Sequence, residues 1–208
     1  RAVRDGDEWV INGTKLYITN GTQADWLCLL ARTSEDGGYR GMSQIIVPTD
    51  TPGFSVSRKL DKLGQRSSDT AELSFDDVRV PVANTIGEID RGFQQQMAQF
   101  QNERLIAAYM ATGQMVAALD QTVAYLKQRQ AFGRALLDNQ YIAFTLAELA
   151  AEVDLLRRYN EACAEAVVSG ADDLTVTRMA SIAKLKAGRL QRQVADTCMQ
   201  FHGGIGYM

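Results

Sequence analysis

Two patterns of apolar and polar positions divide the chain. Up to about residue 86 the apolar residues come in short runs, each closed by Asn, Gly or Pro. Residues 9–11 (WVI) lead into Asn12 and Gly13, a hairpin-type turn signal. Residues 15–19 (KLYIT) follow as a strand that closes at Asn20 and Gly21, and residues 26–31 form a short apolar strand. Residues 35–38 read as a turn-rich loop, residues 44–47 as a strand ended by Pro48, and residues 51–53 (TPG) as a turn. Residues 71–75 and 78–80 are the last strands, and Pro81 stops them. Short strands punctuated about every 8–12 residues predict a small barrel or sandwich, and the pattern does not choose between the two.

From Gly87 onward, alternation gives way to helical composition. Residues 91–129 predict a first helix, with Gly113 inside it at some cost in stability and as a point of close helix packing. Residues 131–137, which include Gly133, read as a break. A second helix is expected over 139–169, stopped by Gly170. A third is expected over 175–201, after a start signal at Asp172 and Asp173, and ends in Gly203, Gly204 and Gly206. Long helices with short connections predict an antiparallel bundle. The expected fold class is therefore α+β: a small β-barrel or sandwich domain over 1–86, then a helical bundle over 87–208. The boundary is placed near 84–88. No internal repeat is present.

Composition narrows the function. Among 208 residues, 46% are hydrophobic, enough for a real core or two modest domains, and the net charge is −3 with no Lys/Arg cluster, which argues against nucleic acid and anionic membrane. No apolar run approaches the ~20 residues needed to span a bilayer. Cys28, Cys163 and Cys198 are scattered and odd in number, which fits a reducing compartment better than a disulfide framework. A single histidine, His202, leaves no basis for a His-based metal site. The chain begins with Arg1 and ends at Met208 after a Gly-rich turn, so both ends read as cuts through a longer protein.

Four stretches carry candidate chemistry. In residues 97–110 (MAQFQNERLIAAYM), a spacing of about 100° per residue puts Phe100, Glu103, Ala107 and Met110 on one stripe, with Met97 and Arg104 at its edge. An acid among apolar residues must pair with a cation or bind its proton more tightly. Either suits a general base, while an i,i+1 charge pair on a solvated face is the plain alternative. Tyr17 and Thr19 alternate on one strand, so an aromatic ring and a hydroxyl share a face that could meet a planar heterocycle; a simple pair of β-formers is equally consistent. Arg129 closes the first helix just before Phe132 and Gly133, where it suits the helix dipole or a phosphate. In residues 200–207 (QFHGGIGY), three glycines within four residues exceed what a helix cap needs and would let backbone amides approach a ligand, whereas His202 fits a capping role. The spacing is not a dinucleotide-binding fingerprint, and neither a P-loop nor a GxSxG or HExxH motif occurs.

Taken in order, these pieces resemble one family. NGTKLYITNG (12–21), LGQRSSDTAELSFDDVRVP (63–81), the NER of residues 102–104, RQAFG (129–133), the helix start at Gln140 and QFHGGIGYM (200–208) are similar to the acyl-CoA dehydrogenases, and the likeness covers essentially the whole chain. The resemblance implies the later part of a middle β-domain followed by most of a C-terminal four-helix bundle. It implies FAD as cofactor and oxidation of an acyl-CoA thioester to the trans-2-enoyl-CoA. Tyr17 and Thr19 would lie beside the flavin ring, with the Thr19 hydroxyl near N5. Arg129 would reach the pyrophosphate of a neighbouring subunit's FAD, with Phe132 and Gln140 in the same region. Gln200, Gly203 and Gly204 would hold the adenosine side across the subunit interface. Arg104 would belong to the acyl-CoA site. Gln101 stands where many members carry an acid that contacts the CoA nucleotide.

Glu103 followed directly by Arg104 matches the minority of the family, the long-chain and isovaleryl-type enzymes, that carry the catalytic base on this helix. By that resemblance Glu103 removes the α-proton while the β-carbon passes hydride to flavin N5. The resemblance further implies a homo-oligomer, usually a tetramer, an electron-transferring flavoprotein as acceptor, and a bacterial cytoplasmic or mitochondrial-matrix location. Two other readings fit the same residues: a flavin-dependent oxidase or monooxygenase on this scaffold, and a non-catalytic helical assembly subunit without flavin.

Overall fold

The computed structural model describes residues 1–36 and 38–208, so within the loop expected at 35–38, Gly37 lies outside the described residues. The chain divides into two compact units, 1–97 and 98–208. In the first, strands β1 (Ala2–Asp5), β2 (Glu8–Thr19), β3 (Trp26–Arg32), β4 (Met42–Pro48), β5 (Phe54–Lys59), β6 (Thr70–Pro81) and β7 (Thr85–Ile86) follow one another. They form two antiparallel sheets of order β1-β2-β6-β5 and β3-β4-β7. Trp9, Ile11, Leu73, Phe75, Val78 and Val80 from one sheet and Leu29, Ile45 and Val47 from the other bury into a single core. Two sheets around a shared core make a sandwich, and among the described residues no barrel closes.

The strand reading needs three corrections. Asn12 and Gly13 do not reverse the chain; β2 runs straight through them, and the bulge is in the facing strand β6, where Asp76 and Asp77 stand opposite Asn12 between the Ile11–Val78 and Gly13–Phe75 pairs. The Asn12 side chain donates to Asp77 Oδ1 (2.8 Å) and accepts from the Asp77 amide (2.9 Å), so the turn-forming residue is used across the ladder rather than along the chain. Gly13 (φ +136°) and Asp77 (φ +48°) absorb the distortion. For the same reason 71–75 and 78–80 are one strand, β6, whose buried positions shift phase from Ala71, Leu73 and Phe75 to Val78 and Val80 as the bulge is crossed. Third, β1 and β5 went unpredicted. β1 buries only Ala2, and β5 is an edge strand with only Phe54 half-buried, so neither shows an alternating apolar face.

The start of the first helix groups with the sheets. Helix α1 (Gly92–Gln128) begins against β4 at a spot where a Cβ on Gly92 would stand 2.6 Å from the Gln44 amide nitrogen. Gln44 Nε2 donates to Gln96 Oε1 (3.0 Å), and the Asp90 amide donates to Ser43 Oγ (2.8 Å). These contacts explain why the first unit extends to residue 97, past the compositional break at 84–88.

The second unit holds the rest of α1, a small hairpin of β8 (Gln130–Ala131) and β9 (Arg134–Ala135), and helices α2 (Gln140–Val168) and α3 (Asp173–His202). Asn139 caps α2 by accepting from the Tyr141 amide (3.0 Å), and Asp172 caps α3 by accepting from the Thr175 amide (3.0 Å). On α1 the buried ladder is Leu105, Ala108, Thr112, Met115, Leu119, Thr122 and Leu126, alternating steps of three and four; on α2 it is Leu146, Leu149, Val153, Leu156, Asn160 and Cys163. Asn160 Nδ2 donates to Thr112 Oγ1 (3.0 Å), so the buried polar positions of the two ladders meet each other. Among the described residues the bundle has three long helices, the three that the pattern predicts. Among the described residues Gly113 packs against no other helix: it lies on the exposed side of α1, and a Cβ there would meet nothing within 4 Å.

Candidate active site

In the helical unit, the ends of all three helices border one cleft of about 700 Å³ lined by Arg129, Asn139, Tyr141, Gln200, Gly203 and Gly204, among others. Each wall has a local cause. α1 stops at Gln128, and the chain turns at Phe132 (φ +55°) and Gly133 (φ +78°), the two left-handed positions of a tight β8–β9 hairpin. Arg129 is thereby left exposed at the rim, and among the described residues it makes no ion pair. α3 ends at Gly203 (φ +66°), whose amide donates back to the Gln200 carbonyl. The chain then coils through a 3₁₀ turn, Gly203–Tyr207.

The three glycines of that turn do different work. A Cβ on Gly203 or Gly204 would meet nothing within 4 Å, so their backbone lies open toward the cleft. A Cβ on Gly206 would stand 2.3 Å from the Met199 carbonyl oxygen, so Gly206 is small because the turn folds onto α3. Gly206→Ala is therefore expected to lower the melting temperature, whereas Gly204→Ala leaves it unchanged and weakens only a ligand seated in the cleft. Thermal melts of both variants, with and without added ligand, check this contrast.

His202 is a structural prop. Its ring stacks on Tyr125 (centroids 4.4 Å apart, 12° between planes). Its Nε2 lies 3.3 Å from Thr122 Oγ1, whose own proton goes to the Ala118 carbonyl, so Nε2 is the donor. Thr122, Tyr125 and Tyr141 were missed from sequence. Thr122 and Tyr125 lie in the middle of a long helix, and only the return of α3 brings His202 beside them. Phe132, at 97% exposure, and Gln140 are also on the surface of this region but do not line the cleft.

Glu103 lies on α1 with its stripe turned away from the bundle core: Glu103, Ala107 and Met110 are exposed and Phe100 is half-buried. The expected apolar surroundings are absent within this unit because the core takes the opposite ladder, which continues over six turns, while the stripe meets Gly113 and Gln114 after three. Glu103 Oε1 accepts from Gln99 Nε2 (3.0 Å), and Arg104 donates to Gln101 Oε1 (2.9 Å). The adjacent acid and base thus turn to different partners, and among the described residues they form no ion pair with each other.

In the sheet unit, Thr19 lines a second cleft of about 420 Å³ together with Lys15, Asn20, Trp26, Leu30 and others. Lys15 Nζ donates to the Leu30 carbonyl (2.8 Å), and burial pushes the pKa of its ammonium down. Trp26, 59% exposed at this cleft, was not singled out from sequence because it looked like the first residue of an ordinary apolar strand. Tyr17 does not line the cleft. It sits at φ +62° in a second bulge, between the Lys15–Leu73 and Ile18–Ala71 pairs, so the strict alternation that put it on one face with Thr19 does not hold there.

Both units match known proteins. Residues 1–78 match the acyl-CoA dehydrogenase middle-domain model and residues 90–208 the acyl-CoA dehydrogenase C-terminal-domain model. The chain belongs to the acyl-CoA dehydrogenase family. It is 39% identical over 209 residues to a probable acyl-CoA dehydrogenase of Bacillus subtilis, covering 100% of this chain and 54% of that protein. It is 36% identical to the mitochondrial long-chain-specific acyl-CoA dehydrogenase of Sus scrofa, covering 100% and 48%. A crystal structure of a probable acyl-CoA dehydrogenase from Mycobacterium abscessus superposes with a TM-score of 0.95 at 44% identity, over 100% of this chain and 54% of that one. The chain thus spans about half the length of the relatives it matches.

Acyl-CoA dehydrogenases are flavoproteins, and the helical cleft fits part of an FAD. It offers a guanidinium that makes no ion pair among the described residues, a side-chain amide at Gln200, and two glycines with open space beside them. Its electrostatics are graded. The N-terminus of α2 brings the positive end of a helix dipole near Arg129, while the C-terminus of α3 brings a negative end beside the glycines. The first side suits an anion and the second a neutral group.

Proposed function

We propose that the protein is an FAD-dependent acyl-CoA dehydrogenase that converts an acyl-CoA thioester to the trans-2-enoyl-CoA. The observation that supports this most is the gathering of Arg129, Gln200, Gly203 and Gly204 on one cleft, in a chain whose two units both match the family. Bound FAD supplies the acceptor for the hydride that leaves the substrate β-carbon.

The chain's own residues bind, orient and move one proton. Glu103 takes the α-proton. Its carboxylate already accepts one hydrogen bond from Gln99, which orients it and leaves lone pairs for the incoming proton. Arg104 and Gln101 hold the CoA thioester, and the bond between them pre-orients the guanidinium. Arg129 binds the FAD diphosphate, with Phe132 and Gln140 beside it. Gln200 and the open backbone of Gly203 and Gly204 take the adenosine. Tyr17 and Thr19 meet the flavin ring, with the Thr19 hydroxyl as hydrogen-bond donor. FAD sites are shared between subunits of a homotetramer, and an electron-transferring flavoprotein receives the electrons. The placement of the base on α1 and the long-chain-specific relatives favour a long or branched acyl group.

The test is the visible spectrum of the full-length protein under anaerobic conditions, before and after addition of acyl-CoAs from butyryl to palmitoyl. The flavin band is expected to bleach with the longer thioesters. A flavin band that persists with every thioester overturns the dehydrogenase reading in favour of an oxidase or monooxygenase. A protein that takes up no FAD overturns the flavin assignment itself.

A further inference from the structure

Asp69, directly before β6, is a buried carboxylate that no cation neutralises among the described residues. Three neutral donors satisfy it instead: the Thr22 amide (2.8 Å) and the Thr22 hydroxyl (2.8 Å) on Oδ2, and Gln23 Nε2 (2.7 Å) on Oδ1. The Asp69 carbonyl also accepts from the Asn20 amide (3.4 Å). All of these donors lie on the turn that directly follows Thr19. Hydrogen bonds from the Thr22 amide first, and from its hydroxyl second, hold the Asp69 carboxyl below the usual aspartate range, so it is ionised at neutral pH.

The segment so clamped is strained. Tyr17 (φ +62°) and Asn20 (φ +61°) are both left-handed and flank Ile18 and Thr19. Such residues persist only where their surroundings over-determine them. Gly21 shows how closely the turn is pressed to the sheet, since a Cβ there would stand 2.9 Å from Ala71 Cβ and 3.0 Å from the Ile18 carbonyl oxygen. Thr19 is paired with Thr70, the residue after Asp69, so the carboxylate sits one register step from the hydroxyl assigned to the flavin ring.

We infer that Asp69 is a positioning residue: its carboxylate, closed over by Thr22 and Gln23, fixes the 20–23 turn and so holds the Tyr17 bulge and the Thr19 hydroxyl in the arrangement that meets the flavin. This rests on the flavin reading given under Proposed function. The clamp needs an acid rather than an amide. Both carboxylate oxygens accept, whereas an asparagine keeping its oxygen toward Thr22 turns a donor toward Gln23, whose amide must then turn over and give up its bond to Asn20 Oδ1 (3.3 Å).

The experiment uses full-length, FAD-loaded enzyme with the variants Asp69→Asn, Thr22→Val, Gln23→Ala and Thr19→Val. It measures backbone hydrogen exchange over residues 17–23 and the flavin midpoint potential. In Asp69→Asn, the amides of 20–23 are expected to exchange about tenfold faster or more, the factor carried by loss of one charge-assisted hydrogen bond, with the middle of β6 unchanged. The potential should move in the same direction as in Thr19→Val. Thr22→Val and Gln23→Ala should show graded, smaller changes, and they decide the question alone if Asp69→Asn does not fold. Unchanged exchange and potential in the clamp variants, alongside a shifted potential in Thr19→Val, overturn the role of Asp69 and leave the flavin reading standing. A flavin-loaded enzyme whose potential ignores Thr19→Val overturns the contact at Thr19, and the inference with it.

Discussion

Glu103→Gln is expected to lower turnover of the full-length enzyme by about 10²–10⁴-fold, the range that a positioned general base contributes, while flavin content and binding of a CoA ligand stay near wild type. The structure explains why the loss would be so specific. Glu103 is exposed on α1 and makes no ion pair among the described residues, so removing its charge strands no cation. Gln99 Nε2, which donates to it, is a donor that a glutamine Oε1 accepts equally well. Arg104 is bonded to Gln101 and keeps that partner. Glutamine and glutamate have nearly the same helix propensity, so α1 is not weakened. What disappears is the ability to accept a proton. Stopped-flow measurement of flavin bleaching, beside equilibrium binding of a non-reactive CoA thioether, separates chemistry from binding. Bleaching at near wild-type rate would place the base elsewhere in the full-length protein.

Leu126→Ala should be the most damaging of the bundle-core substitutions for stability, at about 2–5 kcal/mol. Leu126 has 0% exposure and is the last rung of the α1 ladder. A cavity there opens between α1 and its neighbours, where close packing permits little collapse. It also lies beside Thr122 and Tyr125, the residues that carry His202, and one turn before Arg129. FAD affinity should therefore fall along with stability, although no ligand-facing residue has changed. Denaturant unfolding of the variant, with FAD retention measured by gel filtration, checks both effects. Leu155→Ala provides the comparison: Leu155 is exposed on α2, and its loss should cost no more than about 0.5 kcal/mol. Equal effects at the two positions would mean that the α1 ladder is not the core of this unit.

Helix boundaries were legible to within about two residues because their punctuation is local: Asn139 and Asp172 as caps, Gly170 and Gly203 as stops. The strands were less so. Asn12 and Gly13 carry an unambiguous turn signal, yet the side chain that would make the turn is taken by Asp77, some sixty-five positions away. The bulge at Tyr17 left a different trace, a slip in the apolar phase between Ile11 and Ile18, but a phase slip alone does not say which residue takes the positive φ. The stripe around Glu103 left two readings open, and within this unit it is exposed because the longer ladder on the other side of α1 takes the core.

By itself the sequence determined the succession of a strand-rich and a helix-rich part, the caps and stops of the long helices, and, through the ordered motifs from Asn12 to Met208, membership of the acyl-CoA dehydrogenase family. Only the tertiary structure decided that the strands form a two-sheet sandwich, that Arg129, Gln200, Gly203 and Gly204 line one cleft, that His202 is a prop against Thr122 and Tyr125, and that Asp69 grips the turn beside Thr19. The division follows from range. Caps, propensities and turn chemistry act over a few residues and are written in neighbours. Which distant groups share a cleft or a buried carboxylate depends on how the ladders pack, and packing energy belongs to pairs that the linear order does not put side by side.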